Sequence, residues 1–550
     1  MNPNLLLIYA EKQKIANIFS FLFGLTRKKV YFCINMKEAS RTRRTVQNSR
    51  TSLILFLFQI LVGFYSRKVF LDCLGAEVLG VNTTLGNILS FLNLTELGIG
   101  IAMATSLYKP IQAHDQNTIN EILTVQGILY RRIAVILCIL SIPILIAMPW
   151  LFPSTECGLV YVYLAYVVFL GGSLAGYLWN YRQVLIGADQ KNYKLMPWIH
   201  VIRYIKILLQ IFFLLFTPFG IWAWIMMELV SNVLSVFVIN WVLRKEYPWL
   251  QSVNNPAKEL LKKYHELMVK TKQIFIHKIG LFVLEQTAPL IIYALVSLTM
   301  VTYYGNYMVL IGYTTTLMNV IFEGMGASIG NLVAENNKKH TLEVFWELFT
   351  SRFWVSSLAC LGLYLFMTPF ITIWIGEKYV LSDITLILML ITMFMRLTRS
   401  VTDSFNHAYQ LFGDVWAPVV EGVINLVCSF LLGTIWGLDG ILVGVALSML
   451  VTGLFWKPYY LFSRGLKMPT RFFYYHYLLL LFVILFSIII NLYIFNIVMP
   501  IDNHNIVYII VRQLVVLISF ILFSYMALMC TTGSMRRFNQ RIIGLFKRNG

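Results

Sequence analysis

The sequence predicts an all-α integral membrane protein with about 14 transmembrane helices, and its composition and its apolar runs both indicate this class. Of the 550 residues, 58% are apolar and only 13% are Asp, Glu, Lys or Arg, against about 45–50% and about 25% in soluble globular domains. The mean hydropathy is +0.72. Because a water-exposed surface cannot be built from so few charges, we expect the chain to be embedded in lipid.

Each helix is predicted from a run of apolar residues. About 20 helical residues are needed to cross about 30 Å of hydrocarbon. Runs of that length predict spans at residues 51–71, 84–107, 130–151, 159–181, 195–217, 219–243, 273–298, 301–326, 349–375, 383–408, 415–437, 439–462, 473–498 and 505–530. Aromatic side chains such as Trp150, Trp241 and Tyr459 lie at many of the predicted ends, where an interfacial belt would place them.

The basic residues predict the orientation of these spans. Most of the 44 Lys and Arg residues fall in the N-terminal tail, in alternate connections and in the C-terminal tail. Connections that are rich in Lys and Arg remain in the cytoplasm. We therefore expect both termini to be cytoplasmic, and we interpret the net charge of +19 as a topology signal rather than as a nucleic-acid-binding surface.

The longest connection, residues 244–272, separates six predicted helices from the eight that follow. Its apolar residues Leu260, Tyr264 and Leu267 share one face of a helix. We interpret it as an amphipathic helix on the inner leaflet, and a solvated linker is the alternative. The predicted domains are a basic N-terminal tail (1–50), an N-lobe (51–243), this linker, a C-lobe (273–462), two further helices (463–530) and a basic C-terminal tail (531–550).

A repeat at an offset of 226 residues relates the two predicted six-helix lobes. Residues 98–104 (GIGIAMA) and 324–330 (GMGASIG) both alternate small residues, and each stretch follows a carboxylate, Glu96 or Glu323. Small residues let membrane helices approach closely. Because each lobe has an even number of helices, the second enters the membrane in the same sense as the first. This predicts a pseudo-two-fold axis along the membrane normal, with the substrate path between the lobes.

The cations at bilayer depth are the strongest indication of function in the sequence. One pair lies near the middle of the predicted fifth span and another near the middle of the tenth: Arg203, Lys206, Arg396 and Arg399. Each pair is spaced i, i+3 and so faces one direction. A cation at the centre of a lipid-facing helix costs about 2.5–3.5 kcal/mol. We therefore expect these side chains to face a wet cavity, a carboxylate or a bound anion.

Two interpretations of these charges remain open. In the first, the cations, together with Arg67 and Lys278, line a central cavity and bind an anionic substrate, because a guanidinium group binds phosphate bidentately. In the second, they pair with internal carboxylates, while Arg67, Lys68 and Lys278 extend to the membrane interface. The carboxylates available as partners are Asp403, Glu228, Glu285 and Glu421. Two interpretations also remain open for a second set of carboxylates, Glu96, Glu285 and Glu323. They bind a coupling H⁺ or Na⁺, or they pair with the arginines.

No motif in the sequence indicates covalent chemistry. The chain has no G-x-x-x-x-G-K-[ST] motif for binding ATP, and it lacks H-E-x-x-H, G-x-S-x-G and the dinucleotide fingerprint. Its seven cysteines include no C-x-x-C, so neither a disulfide framework nor a zinc site is expected. We therefore expect no enzyme activity, no catalytic residues, no metal and no cofactor beyond a coupling ion.

The first two predicted spans contain a recognisable set of motifs: Ser66-Arg67-Lys68, Leu74-Gly75, Leu79-Gly80, Glu96-Leu97-Gly98-Ile99-Gly100 and Leu107-Tyr108-Lys109-Pro110. This set resembles the start of the Wzx-like bacterial polysaccharide flippases, which belong to the multidrug/oligosaccharidyl-lipid/polysaccharide (MOP) superfamily. The resemblance covers residues 40–530 in layout. It implies two six-helix lobes in a V shape that work by alternating access.

The resemblance also implies a substrate and a set of partners. The substrate would be an undecaprenyl-diphosphate-linked oligosaccharide that is moved from the inner to the outer leaflet of the bacterial cytoplasmic membrane for O-antigen, capsule or exopolysaccharide synthesis. Its diphosphate would meet the cationic cavity, and an ion gradient rather than ATP would drive the movement. The implied partners are this lipid-linked oligosaccharide, membrane lipid, a polysaccharide polymerase and glycosyltransferases, and no nucleic acid.

Three alternative functions remain open. A multidrug/cation antiporter of the same superfamily would be expected to bury carboxylates rather than cations. A membrane enzyme that polymerises or ligates glycans would need a larger outer loop than the sequence predicts. A lipid II flippase of cell-wall synthesis would share the basic residue at the outer end of the first span and the Glu-x-Gly motif of the second.

The first 35 residues do not fit the family pattern. Glu11, Lys12 and Lys14 interrupt their apolar character, so they are too broken to span a membrane, and they lack the layout of a signal peptide. Met36 directly precedes the basic stretch that begins at Arg41. We expect Met36 to be the true start, which the intact mass of the native protein would check.

Overall fold

The chain folds into helices throughout the part that the computed structural model describes. That part comprises residues 41–93, 99–153, 155–189, 191–253, 256–265, 267–268, 286–322, 329, 332–333, 337–409, 411, 413–414, 416–500 and 506–549. Its long helices are α1 (Arg41–Leu92), α2 (Ile99–Gln112), α3 (Gln116–Leu151), α4 (Gly158–Leu178), α5 (Asn192–Phe216), α6 (Gly220–Glu246), α7 (Leu298–Phe322), α8 (Lys338–Trp374), α9 (Asp383–Ala408), α10 (Trp416–Met449), α11 (Arg471–Val498), α12 (Ile506–Thr531) and α13 (Gly533–Asn549). Every regular element among the described residues is helical, which confirms the all-α prediction.

Shorter helical elements connect the long ones. They are Tyr181–Gln183, Val184–Ala188, Ala257–Lys263, Gln286–Leu295 and Glu377–Tyr379. After α10, π-helical turns at Leu450–Trp456 and Leu461–Leu466 flank an α-helical turn at Lys457–Tyr460.

Ten helices in the described residues are long and apolar enough to cross a membrane. They are Ile60–Leu92, Gln116–Leu151, Gly158–Leu178, Asn192–Phe216, Gly220–Glu246, Lys338–Trp374, Asp383–Ala408, Trp416–Leu466, Arg471–Val498 and Val507–Thr531. Many of their apolar side chains are exposed, for example Phe482 (67%) and Ile489 (64%) on α11. Apolar surface of this extent is stable in contact with lipid and not with water. The chain is therefore a multi-pass membrane protein.

The chain reverses direction at Gly437, within the segment α10. The backbone there has φ 58° and ψ −130°, a combination that glycine adopts more readily than any other residue. Residues about equally far before and after this point meet, because a Cβ atom on Gly444 would lie only 2.3 Å from the backbone nitrogen of Ser429. Two antiparallel helices therefore pack together here, in agreement with the predicted boundary between spans 415–437 and 439–462.

Two helices begin well before their predicted spans. Their first turns are polar, so the apolar runs do not include them. The helices α3 and α8 start about four and about three turns, respectively, before the apolar runs indicate. Asp115 Oδ1 accepts a hydrogen bond from the Thr118 nitrogen at 3.0 Å, and Asn337 Oδ1 accepts one from the His340 nitrogen at 3.1 Å. Both helices thus begin at a side-chain cap. A search for apolar runs cannot detect such polar extensions.

The same polar extensions change the placement of three arginines and of the C-terminal tail. The count of basic residues assigns Arg131, Arg132 and Arg352 to cytoplasmic connections at the edges of the predicted spans 130–151 and 349–375, but the first two lie inside α3 and the third lies inside α8. Residues 531–550 are predicted as a tail, but Gly533–Asn549 forms the helix α13. Basic residues extend a helix beyond the hydrocarbon core as readily as they occupy a loop, so charge alone does not mark a helix end.

Two hydrogen bonds hold the linker segment against α3. The helix covers Ala257–Lys263 and is shorter than predicted, and its Leu260 is buried. Lys263 Nζ and Tyr264 Oη donate hydrogen bonds to Glu121 Oε2 at 2.5 and 2.6 Å. Burial and the hydrogen bond to Glu121 raise the pKa of Tyr264. The predicted amphipathic character is thus realised by packing against the protein, while contact with the inner leaflet stays a prediction.

One hydrogen bond joins two residues that are separated by the repeat offset of 226. Thr302 Oγ1 donates it to the Ala76 carbonyl oxygen at 2.7 Å. The pseudo-two-fold axis between the predicted lobes stays a prediction. Of the two stretches that predict the offset, 98–104 is described from Ile99 onward, whereas only Ile329 of 324–330 is among the described residues.

The chain forms two compact units by its contacts. The first unit comprises the chain up to Val69, Gly100–Ala134 and Gly171–Leu267, and the second comprises Phe70–Ile99, Val135–Leu170 and the chain from Met268 onward. In the core of the second unit, the ring of Phe345 lies 5.2 Å from that of Phe405 and 5.6 Å from that of Phe462. This aromatic packing holds α8 and α9 together. The lobe boundaries predicted from the sequence stay a prediction.

Candidate substrate-binding site

The first predicted cation pair lies near the middle of α5. Arg203 and Lys206 are about 17 and 21 Å from the start of this 25-residue helix. Lys206 Nζ forms an ion pair with Glu228 Oε1 of α6 at 2.8 Å, and Gln210 Nε2 donates to the same oxygen at 3.4 Å. The side chain of Arg203 is exposed. The two cations therefore differ, since Glu228 pairs with Lys206 whereas Arg203 is exposed.

The second predicted cation pair lies near the middle of α9. Arg399 Nη1 is 2.6 Å from Glu421 Oε1, and its Nε is 3.2 Å from Asp403 Oδ2. The side chain of Glu421 is completely buried, whereas that of Asp403 is 34% exposed. Arg396, three residues before Arg399, is exposed. For Arg399 the structure thus shows the internal pairing with carboxylates that was one of the two interpretations left open.

The two cation pairs share one arrangement. In each pair, the first cation is exposed, and the second bonds to a glutamate on the next long helix. In each, the glutamate follows its partner by 22 residues. Arg203 belongs to the first compact unit and Arg396 to the second. Lys206 and Arg399 are thus internally paired, while each unit also carries an exposed arginine at the middle of a membrane-spanning helix.

The other predicted site residues fall into two groups. On α1, Arg67 is half-buried and Lys68 is exposed. Outside the described residues lie Lys278, Glu96, Glu285 and Glu323. The roles of both groups stay predictions.

Arg352 is a deeply buried cation that is not among the predicted site residues. It is only 2% exposed. Its guanidinium group donates to the Met318 carbonyl at 2.8 Å, to Asn319 Oδ1 at 2.7 Å and to the Leu397 carbonyl at 3.1 Å. It therefore joins α7, α8 and α9 directly beside Arg396. Its position inside the predicted span 349–375 is the signal that could have identified it.

Every buried carboxylate in the described part of the chain bonds to a cation. Glu421 bonds to Arg399, Asp414 Oδ2 lies 2.7 Å from Lys457 Nζ, and Glu347 Oε2 lies 2.9 Å from Arg541 Nη2. The same residues contain no group of three or more His, Cys, Asp or Glu side chains that could hold a metal ion.

Comparisons with known proteins give the fold. No protein-family model and no curated protein matches the sequence. Among solved structures, the chain matches the lipid II flippase MurJ in an inward-closed conformation, with a TM-score of 0.61 and 15% identity over 86% of this chain and 98% of that one. It also matches an inward-facing multidrug resistance transporter of the MATE family and the MOP superfamily, with a TM-score of 0.51 and 16% identity over 75% of this chain and 98% of that one. The protein therefore has the fold of MOP-superfamily flippases and transporters.

Proposed function

We propose that the protein flips an undecaprenyl-diphosphate-linked oligosaccharide from the inner to the outer leaflet of a bacterial cytoplasmic membrane, by alternating access and as a step in O-antigen, capsule or exopolysaccharide synthesis. The observation that carries the proposal is the exposed arginine at the middle of a membrane-spanning helix in each unit, Arg203 and Arg396. The fold supports a transporter of this superfamily.

A diphosphate is the ligand that best explains exposed guanidinium groups at this depth. A cation at the centre of a membrane helix is costly unless it faces water or an anion. Guanidinium groups bind phosphate oxygens through two parallel hydrogen bonds. Lys206 and Arg399, which are already bonded to glutamates, hold their helix pairs together and keep Arg203 and Arg396 in place for the ligand.

The remaining assignments belong to the same proposal. Arg67 and Lys278 contribute further positive charge to the substrate path. Coupling to H⁺ or Na⁺ uses Glu96, Glu285 and Glu323. Both termini lie in the cytoplasm, the protein acts without ATP and catalyses no covalent reaction, and it works beside a polysaccharide polymerase and glycosyltransferases.

Removing either exposed arginine tests the proposal. We expect Arg203→Ala and Arg396→Ala each to abolish surface polysaccharide, because the diphosphate loses a bidentate partner inside the membrane. Surface glycan is measured together with the amount of folded, membrane-inserted protein. Lys258→Ala is the matched control, since it removes an exposed cation from the linker helix and should leave export unchanged. Normal export by both arginine variants would contradict the proposal.

Lipid II is the second candidate substrate, because the lipid II flippase is the structural neighbour described above with a TM-score of 0.61. The two candidates differ in a complementation experiment. Cells depleted of their own lipid II flippase are supplied with this protein, and we expect no rescue of growth. Rescue of growth would show that the substrate is lipid II rather than the proposed oligosaccharide. Drug antiport is disfavoured, since each buried carboxylate of the described residues already has a cationic partner.

A further inference from the structure

The helix α13 follows the membrane-spanning helix α12 almost without a break. It starts at Gly533, two residues after α12 ends at Thr531. Its sequence contains five basic residues and no Asp or Glu. Met535 is completely buried, and Phe538 packs against the core of the second unit. Such a short connection keeps α13 at the height where a membrane helix leaves the bilayer.

The first turns of α13 are anchored to neighbouring helices. Ser534 Oγ lies 2.8 Å from Thr350 Oγ1 of α8. Glu347 of α8 pairs with Arg541 at 2.9 Å and with Arg537 at 3.5 Å. Both arginines remain 42–49% exposed. One buried glutamate thus neutralises only part of the charge that the helix presents.

Three neighbouring helix ends meet at this height. Asn491 of α11 bonds to Ser519 of α12, and these helices are joined by a short connection, so the start of α11 lies beside the end of α12. Trp354 of α8 bonds to Ser524 of α12, while Thr350 bonds to Ser534. The helix α8 is therefore antiparallel to α12, and its start also lies beside α13.

A strong excess of positive charge gathers at these helix ends. We define the basic collar as the exposed cations Lys338, Lys339, Arg464, Lys467, Arg471, Arg536, Arg537 and Arg541. The collar segments 338–347, 461–471 and 533–549 contain only two carboxylates, Glu343 and Glu347. Most of this charge is therefore not compensated within these segments.

We propose that the basic collar binds the anionic phospholipid headgroups of one membrane leaflet, with α13 lying flat at the bilayer surface. A lipid surface is the partner that the position favours, because α12 leaves the bilayer two residues before α13 begins and headgroup phosphates lie within reach of arginine side chains there. Amphipathic basic helices bind anionic interfaces by apolar burial together with charge. The exposed apolar side chain of Ile543 (46%) fits the same partner.

The experiment compares full-length protein in nanodiscs of phosphatidylcholine and of phosphatidylcholine with phosphatidylglycerol. Amide hydrogen exchange is measured for peptides of α13. We expect exchange to be at least about fivefold slower in the anionic nanodiscs, which corresponds to one basic side chain held at the surface. The difference should vanish at high salt, because charge attraction is screened. Equal exchange in both lipids, or a difference that survives high salt, would overturn the proposal.

Three control measurements separate the lipid from other partners. In the Glu347→Gln variant, α13 should lose protection in phosphatidylcholine but keep it in anionic nanodiscs. Native mass spectrometry should find fewer retained phosphatidylglycerol molecules on the Arg464→Gln/Arg471→Gln variant than on the Arg131→Gln/Arg132→Gln variant, which removes two exposed arginines elsewhere. Equal retention by the two variants would count against the collar. If α13 is protected only in nanodiscs that contain two copies of the protein, the partner of the basic collar is a second copy and not the lipid.

Discussion

Arg399 and Lys206 each bond to a glutamate 22 residues later, but their two ion pairs differ in burial. The side chains of Arg399 and Glu421 are 10% and 0% exposed, whereas those of Lys206 and Glu228 are 19% and 22% exposed. Removing one partner of a buried ion pair leaves a charge without solvent and costs about 3–5 kcal/mol. A partly solvated pair contributes about 1 kcal/mol or less. The two pairs should therefore contribute very different amounts to stability.

This difference predicts the effect of neutralising each glutamate. We expect Glu421→Gln to lower the free energy of unfolding by about 3–5 kcal/mol, because Arg399 is left with the half-exposed Asp403 alone. Glu228→Gln is the matched variant and should cost about 1 kcal/mol or less. Unfolding in detergent, followed by tryptophan fluorescence, measures both.

A second substitution checks the cause of that loss. The double variant Arg399→Met/Glu421→Leu removes both charges, so it should recover much of the stability that Glu421→Gln loses. If Glu228→Gln and Glu421→Gln shift the unfolding midpoint equally, burial does not separate the two pairs. If the double variant is less stable than Glu421→Gln, the loss does not come from an uncompensated charge.

At the residue level, spacing predicted some contacts and not others. The contact of Arg399 with Asp403 follows from helical periodicity, since residues i and i+4 are neighbours on one face. The contacts of Arg399 with Glu421 and of Lys206 with Glu228 join different helices. No local sequence pattern therefore predicts which carboxylate pairs with each cation. Arg352 donates hydrogen bonds to backbone carbonyl groups of two other helices. Contacts of this kind cannot be predicted from local sequence.

At the level of elements, single glycines interrupt helices. Gly437 divides the segment α10 into two antiparallel helices, and the backbone at Gly75 (φ 81°, ψ 173°) is likewise non-helical inside α1. Both backbone conformations are strained for residues with a Cβ atom. The reversal at Gly437 is therefore a property of this glycine rather than of the apolar pattern around it.

Gly437→Ala tests the importance of this reversal. We expect it to lower the free energy of unfolding by about 1–3 kcal/mol, because alanine is strained in that backbone conformation. Gly312→Ala is the matched control in a regular part of α7. A Cβ atom there would have no heavy atom within 4 Å, so we expect unchanged or slightly raised stability. Comparable losses in both variants would show that the backbone conformation at Gly437 is not the cause.

Helix positions were predicted well and helix ends less well. The predicted span 383–408 coincides with α9, and 473–498 nearly coincides with α11, because apolar length is set by the thickness of the bilayer. The starts of α3 and α8 lie in polar sequence that a side chain caps. The helix α13 was predicted as a tail, since its basic residues resemble those of a solvated segment.

For the whole molecule, the proposed function predicts movement of a substrate without a nucleotide. We expect the purified protein in liposomes to move a labelled undecaprenyl-diphosphate-linked oligosaccharide between leaflets in the absence of ATP, because the sequence contains no P-loop. Protection of the label from a membrane-impermeant reagent measures the movement.

The Arg203→Ala/Arg396→Ala variant is the control for that assay. It should be inserted to the same extent and should move no substrate above the rate of protein-free liposomes. A strict requirement for added ATP would contradict the mechanism and would indicate a separate motor subunit. Movement by the double variant at the normal rate would exclude these arginines from the transport step.

Composition and apolar periodicity were sufficient to predict an all-α membrane protein, the positions of most of its helices and the helices that carry cations at bilayer depth. These features depend on the residues of each segment alone and not on contacts between distant segments. Tertiary structure alone decided that Glu228 and Glu421 hold Lys206 and Arg399 while Arg203 and Arg396 stay exposed. It also decided that the C-terminal basic segment packs as a helix on α8. Such outcomes depend on which distant residues come within a few ångströms of each other, and a one-dimensional pattern contains no distance between helices.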